Sequence, residues 1–381
     1  MTADVGVRPV VRHRPTVAVV DLAAVRHNAS VLRPPSSELI AIVKADAYGH
    51  GAVPVALAAT RAGASRLGVA LVEEGVELRA AGLDVPILTL TEFPPGSEGD
   101  ALRAGLTPTL YTRAALDRLL AASAGAGEPP GAQVKVDTGM HRVGVAWEDA
   151  TVFVHEVVRS GVRLEGVWTH LANAEDPADP FTGVQLERFR SVLGRLRADG
   201  IPPGLVHAAN SAGRLARRDA WFDAVRVGVA LYGVSPGAGV AGAARDLGLR
   251  PAMSLRSEVS FVKRLAAGEA VSYGLTHRLE RDATVATVPV GYADGYPRAL
   301  SNRGEALVGG RRRRVIGSVT MDQLLLDCGD DAVEVGDEVI LVGRQGGEEI
   351  TAAELADLAG TIPYEIVCRI GVRVPREYLG T

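Results

Sequence analysis

Through the first two-thirds of the chain, short runs of aliphatic and β-branched residues alternate with longer amphipathic stretches. The runs fall at Leu39–Val43, Arg66–Ala70, Pro86–Leu90, Thr107–Tyr111, Gln133–Val136, Leu164–Thr169, Leu205–Ala208 and Ala224–Val227. The clearest amphipathic stretch carries Phe189, Val192, Leu193 and Leu196 at i, i+3, i+4 and i+7, and stops at Gly200 ahead of Pro202. Strands separated by helices imply parallel βαβ units. Eight such units predict an α/β fold with a closed (β/α)₈ barrel over residues 15–245. A doubly wound open sheet is the structural alternative. Asp21 is a candidate cap for the first helix.

The pattern changes near residue 245. Ser235–Ala244 is rich in Gly and Ala and reads as a boundary loop. Its Gly237-x-Gly239-x-x-Gly242 matches the spacing of a dinucleotide fingerprint. Pro236 precedes it and no buried strand leads into it, so the match is rejected. Beyond this point the period shortens towards two. Leu255–Phe261 alternates in part, Ala283–Val290 and Val339–Val342 read as strands, and Gly309-Gly310 reads as a hairpin turn. Thr351–Leu358 is one candidate short helix. A mainly β domain is predicted over residues 246–381, with residues 1–14 as a candidate extension of it.

Composition narrows the function classes. Of 381 residues, 47% are hydrophobic and 23% charged, as in an ordinary folded protein. Lys and Arg number 41 against 45 Asp and Glu, a net charge of −4 that does not favour bulk nucleic-acid or anionic-membrane binding. Arg311–Arg314 follows the hairpin turn and reads as a solvated face, because no aromatic platform accompanies it. No apolar stretch approaches the roughly 18 residues of a spanning helix, and the N-terminus has no apolar signal core. Cys328 and Cys368 are too few for a disulfide framework or a four-ligand zinc site. The expectation is a cytoplasmic protein without a metal centre.

Candidate chemistry gathers at the strand ends. Lys44 follows the first run, in Ala41-Ile-Val-Lys-Ala-Asp-Ala-Tyr-Gly-His-Gly51. A lysine leaving a strand of Ile and Val would reach into a barrel mouth, where burial lowers its pKa and favours Schiff-base chemistry. A lone strand-end lysine is more often a snorkelling surface residue, but a Gly-punctuated polar loop follows this one. Lys135 lies on the fifth run, with Asp137-Thr-Gly-Met-His-Arg142 after it. His170 closes the sixth, Asn210-Ser211 closes the seventh with His207 inside it, and Arg226 closes the eighth. Singly, each has a bland reading: backbone satisfaction for His and Asn, a helix cap for Ser211, an ion pair for Arg226.

Together these segments resemble a family. Val43-Lys-Ala-Asp-Ala-Tyr-Gly-His-Gly51 is similar to the cofactor-lysine motif of bacterial alanine racemases. The likeness continues in order through Lys135-Val-Asp-Thr-Gly-Met-His-Arg-Val-Gly144, Thr169-His170, Asn210-Ser211, Val225-Arg-Val-Gly-Val-Ala-Leu-Tyr-Gly233, Ser272-Tyr-Gly274, Gly291-Tyr-Ala-Asp-Gly295, Thr320-Met-Asp322 and Pro363-Tyr364. One such motif would be weak, since other barrel enzymes have similar lysine strands. The ordered set is specific, and the family's barrel plus β domain agrees with the strand count.

The resemblance implies roles. Lys44 would hold pyridoxal 5′-phosphate through its amine and then serve as one base. Tyr273, contributed by the partner subunit of a homodimer, would be the second, since racemisation needs bases on opposite faces of one carbon. His170 and Arg226 would support Tyr273, and Arg226 would face the pyridine nitrogen. The hydroxyls of Tyr48, Ser211 and Tyr364, with backbone amides at Gly228 and Val229, would bind the phosphate beside Asn210. Arg142 and the amide of Met321 would hold the substrate carboxylate. Lys135 matches a position that is carbamylated in some relatives. Tyr292 and Tyr364 resemble gate tyrosines, with Asp322 behind that wall.

The function implied is interconversion of L- and D-alanine, supplying D-alanine for peptidoglycan. A racemase for serine or for a broader set of amino acids is a second reading, and pocket width at Tyr292 and Tyr364 discriminates them. A decarboxylase is disfavoured by Tyr273 and the compact β domain. A regulatory or carrier protein that binds the same cofactor would lack the long segment after the barrel.

Overall fold

The structure is a computed structural model that describes residues 13–125 and 129–380. The chain divides into two units. The first comprises residues 20–253, 362–368 and 378–380; the second, residues 13–19, 254–361 and 369–377.

In the first unit all eight expected strands form: β1 (Glu38–Ile42), β2 (Arg66–Val69), β3 (Ile87–Thr89), β4 (Leu106–Thr107 and Thr109–Leu110), β5 (Gly131–Asp137), β6 (Arg163–Trp168), β7 (Leu205–His207) and β8 (Ala224–Val227). Neighbours pair in parallel, and β8 pairs with β1 from Ala224↔Glu38 to Val227↔Ala41, which closes the ring. Pro108 splits β4 because it has no N–H to donate. Leu106 and Thr107 pair with β3, while Thr109 and Leu110 pair with β5. The barrel is therefore closed, and the open-sheet alternative fails.

Local signals account for the helices. Asp21 caps helix Leu22–Leu32, its Oδ1 accepting from the amides of Ala23 and Ala24. Helix Phe181–Ala198 buries Phe189, Val192, Leu193 and Leu196, the stripe read from the sequence. Ser235–Ala244 is not simply a loop. It contains a 3₁₀ turn, Ala238–Val240, and enters helix Ala241–Asp246 within the first unit. Its alanines, small enough to read as linker, are also the best helix formers. Residues 362–368, which fell in the expected β domain, also group with the barrel and form helix Pro363–Cys368.

The second unit is a mainly antiparallel sheet. Its strands are β9 (Met253–Glu258, all but its first residue within this unit), β10 (Phe261–Leu265), β11 (Ala283–Val288), β12 (Glu305–Val308), β13 (Arg311–Ile316), β14 (Leu324–Gly329) and β15 (Glu338–Gln345). They are ordered β10-β11-β14-β13-β12-β15-β9. Gly309 and Gly310 both have positive φ and turn β12 back onto β13. The Arg311–Arg314 run meets acids: Arg311 and Arg313 pair with Asp331, and Arg312 with Glu305, Glu348 and Glu354. Thr351 caps helix Ala352–Ala359. Residues 1–12 of the candidate N-terminal extension lie outside the described residues. Arg14, in the second unit, makes a two-pronged contact with buried Asp294, 2.8 Å on each arm.

Candidate active site

The strand ends of the barrel line a cavity of about 670 Å³. Lys44, Tyr48, Lys135, Arg142, His170, Asn210, Ser211, Arg226, Gly228, Val229 and Tyr364 all face it. Eleven residues spread over 321 positions of chain are thus brought to one place within the first unit. Tyr273, Tyr292, Met321 and Asp322 line a different cavity, of about 710 Å³, in the second unit.

Lys44 stands just beyond β1, at the start of an unusual turn. Ala45, Asp46, Ala47 and Tyr48 all have φ of 51–54° and ψ of 38–52°, four consecutive left-handed residues without a glycine. Each costs roughly 1–2 kcal/mol, so neighbours must hold the turn. The Ala45 amide donates to Glu74 Oε1 (2.7 Å), the Ala52 amide to Asp46 Oδ1 (2.8 Å) and the Gly51 amide to the Asp46 carbonyl (2.9 Å). Tyr48 packs its ring 5.1 Å from Tyr232 and 6.2 Å from Tyr364. Strain of this kind concentrates at functional sites. Burial lowers the pKa of Lys44, and the charge of Arg142 adds to the effect.

The barrel interior is polar along one file. Arg226, 3% exposed, donates from Nη1 to His207 Nδ1 (2.7 Å) and from Nη2 to His170 Nδ1 (3.1 Å). Nη2 also meets the carbonyls of Thr169 (2.8 Å) and Ala208 (2.9 Å). Its neighbours are carbonyls and imidazoles, so the ion-pair reading of Arg226 gives way to this cage. Burial alone pulls its pKa down to about 9. Burial, then the Arg226 charge, holds both histidines well below 6.5 and neutral. His207 therefore donates from Nε2 to Gln133 Oε1 at 2.8 Å.

Lys135, 3% exposed, sits 4.6 Å from the centre of the Trp168 ring, and the Arg226 guanidinium is also 4.6 Å from it. Burial, followed by the charges of Arg142 and Arg226, brings the Lys135 amine down to about 7. Arg142 follows a turn in which Asp137 Oδ1 accepts from the amides of Gly139 (2.9 Å) and His141 (3.1 Å).

Asn210, not Ser211, caps helix Ser211–Ala216, its Oδ1 accepting from the Gly213 amide. That leaves Ser211 Oγ to accept from the amides of Gly228 (3.0 Å) and Ala230 (3.3 Å). A Cβ on Gly228 would collide with the Tyr48 hydroxyl. The missing side chain keeps open a cradle of hydroxyls and amides suited to an anion. Trp168 Nε1 is buried without a hydrogen-bond partner among the described residues. An amine of lowered pKa, an anion cradle and a buried cation on one cavity fit pyridoxal 5′-phosphate.

Sequence reading missed Gln133, Trp168, Glu74 and Gln185. Gln133 lies two residues before Lys135 on the same face of β5, so the period of two was an available signal, and Trp168 ends β6 two residues before His170. Glu74 and Gln185 had none. Glu74 ties Ala45 to Ala70 and Leu71. Gln185 donates to the His170 carbonyl (3.0 Å) and Thr138 Oγ1 (3.2 Å), and accepts from the Ala172 amide (2.8 Å). In the second unit, Asp322 pairs with Arg373 Nη2 at 2.7 Å, more than a turn aspartate. Cys328 and Cys368 are both free. Among the described residues there is no cluster of His, Cys, Asp or Glu able to hold a metal and no helix long and apolar enough to cross a membrane.

A closed parallel barrel with a lysine and an anion cradle at its mouth, followed by an antiparallel β unit, defines a class of barrel enzymes. Comparison with known proteins narrows it. Residues 20–236 match the model for the alanine racemase N-terminal domain and residues 252–378 the model for the C-terminal domain. The chain belongs to the alanine racemase family and, with it, to the isomerases. The alanine racemase of Symbiobacterium thermophilum is 50% identical over 371 residues, covering 96% of this chain and 98% of that one. The crystal structure of alanine racemase from Streptomyces lavendulae superposes with a TM-score of 0.92 at 43% identity, covering 97% and 98%. That of Bacillus anthracis alanine racemase with bound L-Ala-P does so with a TM-score of 0.89 at 37% identity, covering 97% and 96%.

Proposed function

We propose that this chain interconverts L- and D-alanine with pyridoxal 5′-phosphate as cofactor, in a homodimer whose sites each combine Lys44 of one subunit with Tyr273 of its partner. The D-alanine formed would enter peptidoglycan synthesis. The observation that carries the reading is the single cavity joining the Lys44 amine, the Ser211–Gly228 cradle and buried Arg226. The relatives named alanine racemase and the Bacillus anthracis structure with L-Ala-P support a small amino-acid substrate.

When bound, the cofactor supplies an electron-withdrawing ring that acidifies the α-carbon of an attached amino acid. The residues do the rest. Lys44 would anchor the cofactor through its amine, and the hydroxyls of Tyr48, Ser211 and Tyr364, with Asn210 and the Gly228–Val229 backbone, would hold its phosphate. Arg226 would sit at the ring nitrogen and, as a cation, discourage protonation there. Arg142 and the Met321 amide would bind the substrate carboxylate. The Lys44 amine, its pKa lowered by burial, would take up or return a proton on one face of the α-carbon, and Tyr273 would do so on the other. Free phenols hold their proton to about pH 10, so a phenol acting as a base needs a hydrogen-bond donor that stabilises its phenolate. His170 can offer Nε2–H, since Nδ1 already accepts from Arg226.

Tyr273 is 76% exposed within its own chain, and Leu275 and Met321 are exposed beside it in the second unit. Exposed apolar groups of this kind suit burial against a second copy. Tyr292 and Tyr364 would narrow the entrance and favour a methyl side chain.

The test is a racemisation panel with purified protein and added cofactor. Alanine should turn over at least tenfold faster than serine and larger amino acids. Serine preference would replace the alanine assignment with the broader racemase reading. Cofactor binding without racemisation of any amino acid would overturn the enzymatic one.

A further inference from the structure

We propose that Ser318, seated beside Gly317, is a positioning residue that fixes where the Tyr273 phenol points. This rests on the reading of Tyr273 as a base.

Tyr273 rides at the tip of a small hairpin, Ala270–Val271 paired with His277–Arg278. The root is anchored: Val271 is buried with Leu279, Ala283, Val285 and Ile316. The tip is exposed, so its backbone sets the direction of the phenol. That backbone is unusual. Ser272 has φ +61° and Leu275 φ +48°, conformations that persist in non-glycine residues when the surroundings over-determine them.

The surroundings are a reciprocal pair of hydrogen bonds. Ser272 Oγ donates to the Ser318 carbonyl at 2.7 Å, and Ser318 Oγ donates back to the Tyr273 carbonyl at 2.9 Å. Ser318 is buried, which shields the pair from water. Gly317 lets the two segments approach. At its φ of +71°, a Cβ would lie 2.6 Å from Ser272 Cβ and 2.9 Å from the Val271 carbonyl. Asn302 adds a bridge, accepting from the Gly317 amide (2.6 Å) and donating to Thr276 Oγ1 (3.0 Å).

The same segment also holds the other residues of this cavity. The Thr320 and Met321 carbonyls accept from the amides of Tyr292 (3.0 Å) and Ala293 (3.1 Å). Residues 317–321 thus act as one ruler. They carry Met321, fix the backbone of Tyr292, and grip Tyr273 by its carbonyl. Ser318 never touches the substrate in this scheme; it acts through Tyr273.

The experiment compares Ser318→Ala, Ser318→Thr and Tyr273→Phe as cofactor-loaded full-length proteins. Each is assayed in both directions with α-deuterated and ordinary alanine. A misplacement of about 1 Å can cost up to about 10²-fold. Ser318→Ala should therefore lower kcat by about tenfold with little change in KM. It should raise the substrate isotope effect in the same single direction as Tyr273→Phe. Ser318→Thr keeps a hydroxyl and should restore both. The proposal is overturned if Tyr273→Phe shows the one-directional isotope signature while Ser318→Ala matches the wild type. It is equally overturned if Ser318→Thr is as impaired as Ser318→Ala, because the hydroxyl is then not what matters. Absence of the signature in Tyr273→Phe itself would instead remove the assignment of Tyr273 as a base. An unchanged cofactor absorbance in all three variants controls for loss of the barrel site.

Discussion

Arg226 donates through Nη2 to Nδ1 of His170 at 3.1 Å, and this commits the imidazole to carrying its one proton on Nε2. His207 is fixed in the same way by Nη1. Nitrogen-15 NMR should show both residues as neutral Nε2–H tautomers at pH 6.5, where free imidazoles are half protonated. A sign follows for stability. Unfolded imidazoles bind protons below about pH 6.5, and the folded ones, with lowered pKa values, do not. The unfolded state then holds more protons, so stability falls as pH drops through that value. His207→Gln should flatten this acid slope between pH 7 and 5 in urea unfolding, while costing stability at pH 7.

Lys135 predicts a slope at the other end. Its amine is lowered to about 7 in the fold from a reference of 10.5, by burial and then by Arg142 and Arg226. Between those values the unfolded chain holds a proton that the folded chain lacks, so the contribution of Lys135 to stability rises with pH from about 7 to about 10.5. Lys135→Gln should lose that rise. The same neutral amine can add carbon dioxide. Carbon-13 bicarbonate should then give a carbamate NMR signal that Lys135→Gln abolishes; a wild-type protein without the signal keeps Lys135 as an amine.

The left-handed turn after Lys44 makes an unusual substitution favourable. At Ala45, exposed and at φ +52°, glycine avoids a steric cost of roughly 1–2 kcal/mol but loses about 0.5–1 kcal/mol of unfolded-state entropy. Ala45→Gly should be neutral or stabilising by up to about 1 kcal/mol. Ala45→Val, β-branched in the same conformation, should destabilise by more than about 1 kcal/mol. Thermal unfolding distinguishes the two, and a large loss in Ala45→Gly would show that the turn is not strained.

The shared-site reading makes a prediction about mixtures. Lys44→Ala and Tyr273→Phe homodimers should each be nearly inactive, and borohydride should fix the cofactor to the wild type but not to Lys44→Ala. Subunit exchange between the two variants should restore one intact site per heterodimer. No recovery of racemase activity, after exchange has been demonstrated, would show that Lys44 and Tyr273 act within one chain or not together.

Much of this was readable in order of residues. The eight strands lie within a residue or two of the apolar runs, because a strand buried on both faces needs such a run. Asp21 caps the first helix as its sequence position suggests, and the short helix expected from Thr351 forms at Ala352–Ala359 with Thr351 as its cap. The Lys44, Arg226 and Asn210-Ser211 segments stand out because polar groups rarely close apolar strands. The reading failed where composition pointed two ways. Ser235–Ala244 looked like a linker and folds into helical turns, and Ser211 looked like a cap that Asn210 provides.

The sequence by itself determined the periodicities, hence the barrel followed by a β unit, and the residue types available at each strand end. Only the tertiary structure decided how those groups behave. That Arg226 lies in a cage of carbonyls and imidazoles, that Lys135 and Arg226 share one indole, and that Ser318 grips the Tyr273 backbone depend on segments far apart in the chain. Burial and a few ångströms of separation set those charges and directions, and neither quantity is carried by any local stretch of sequence.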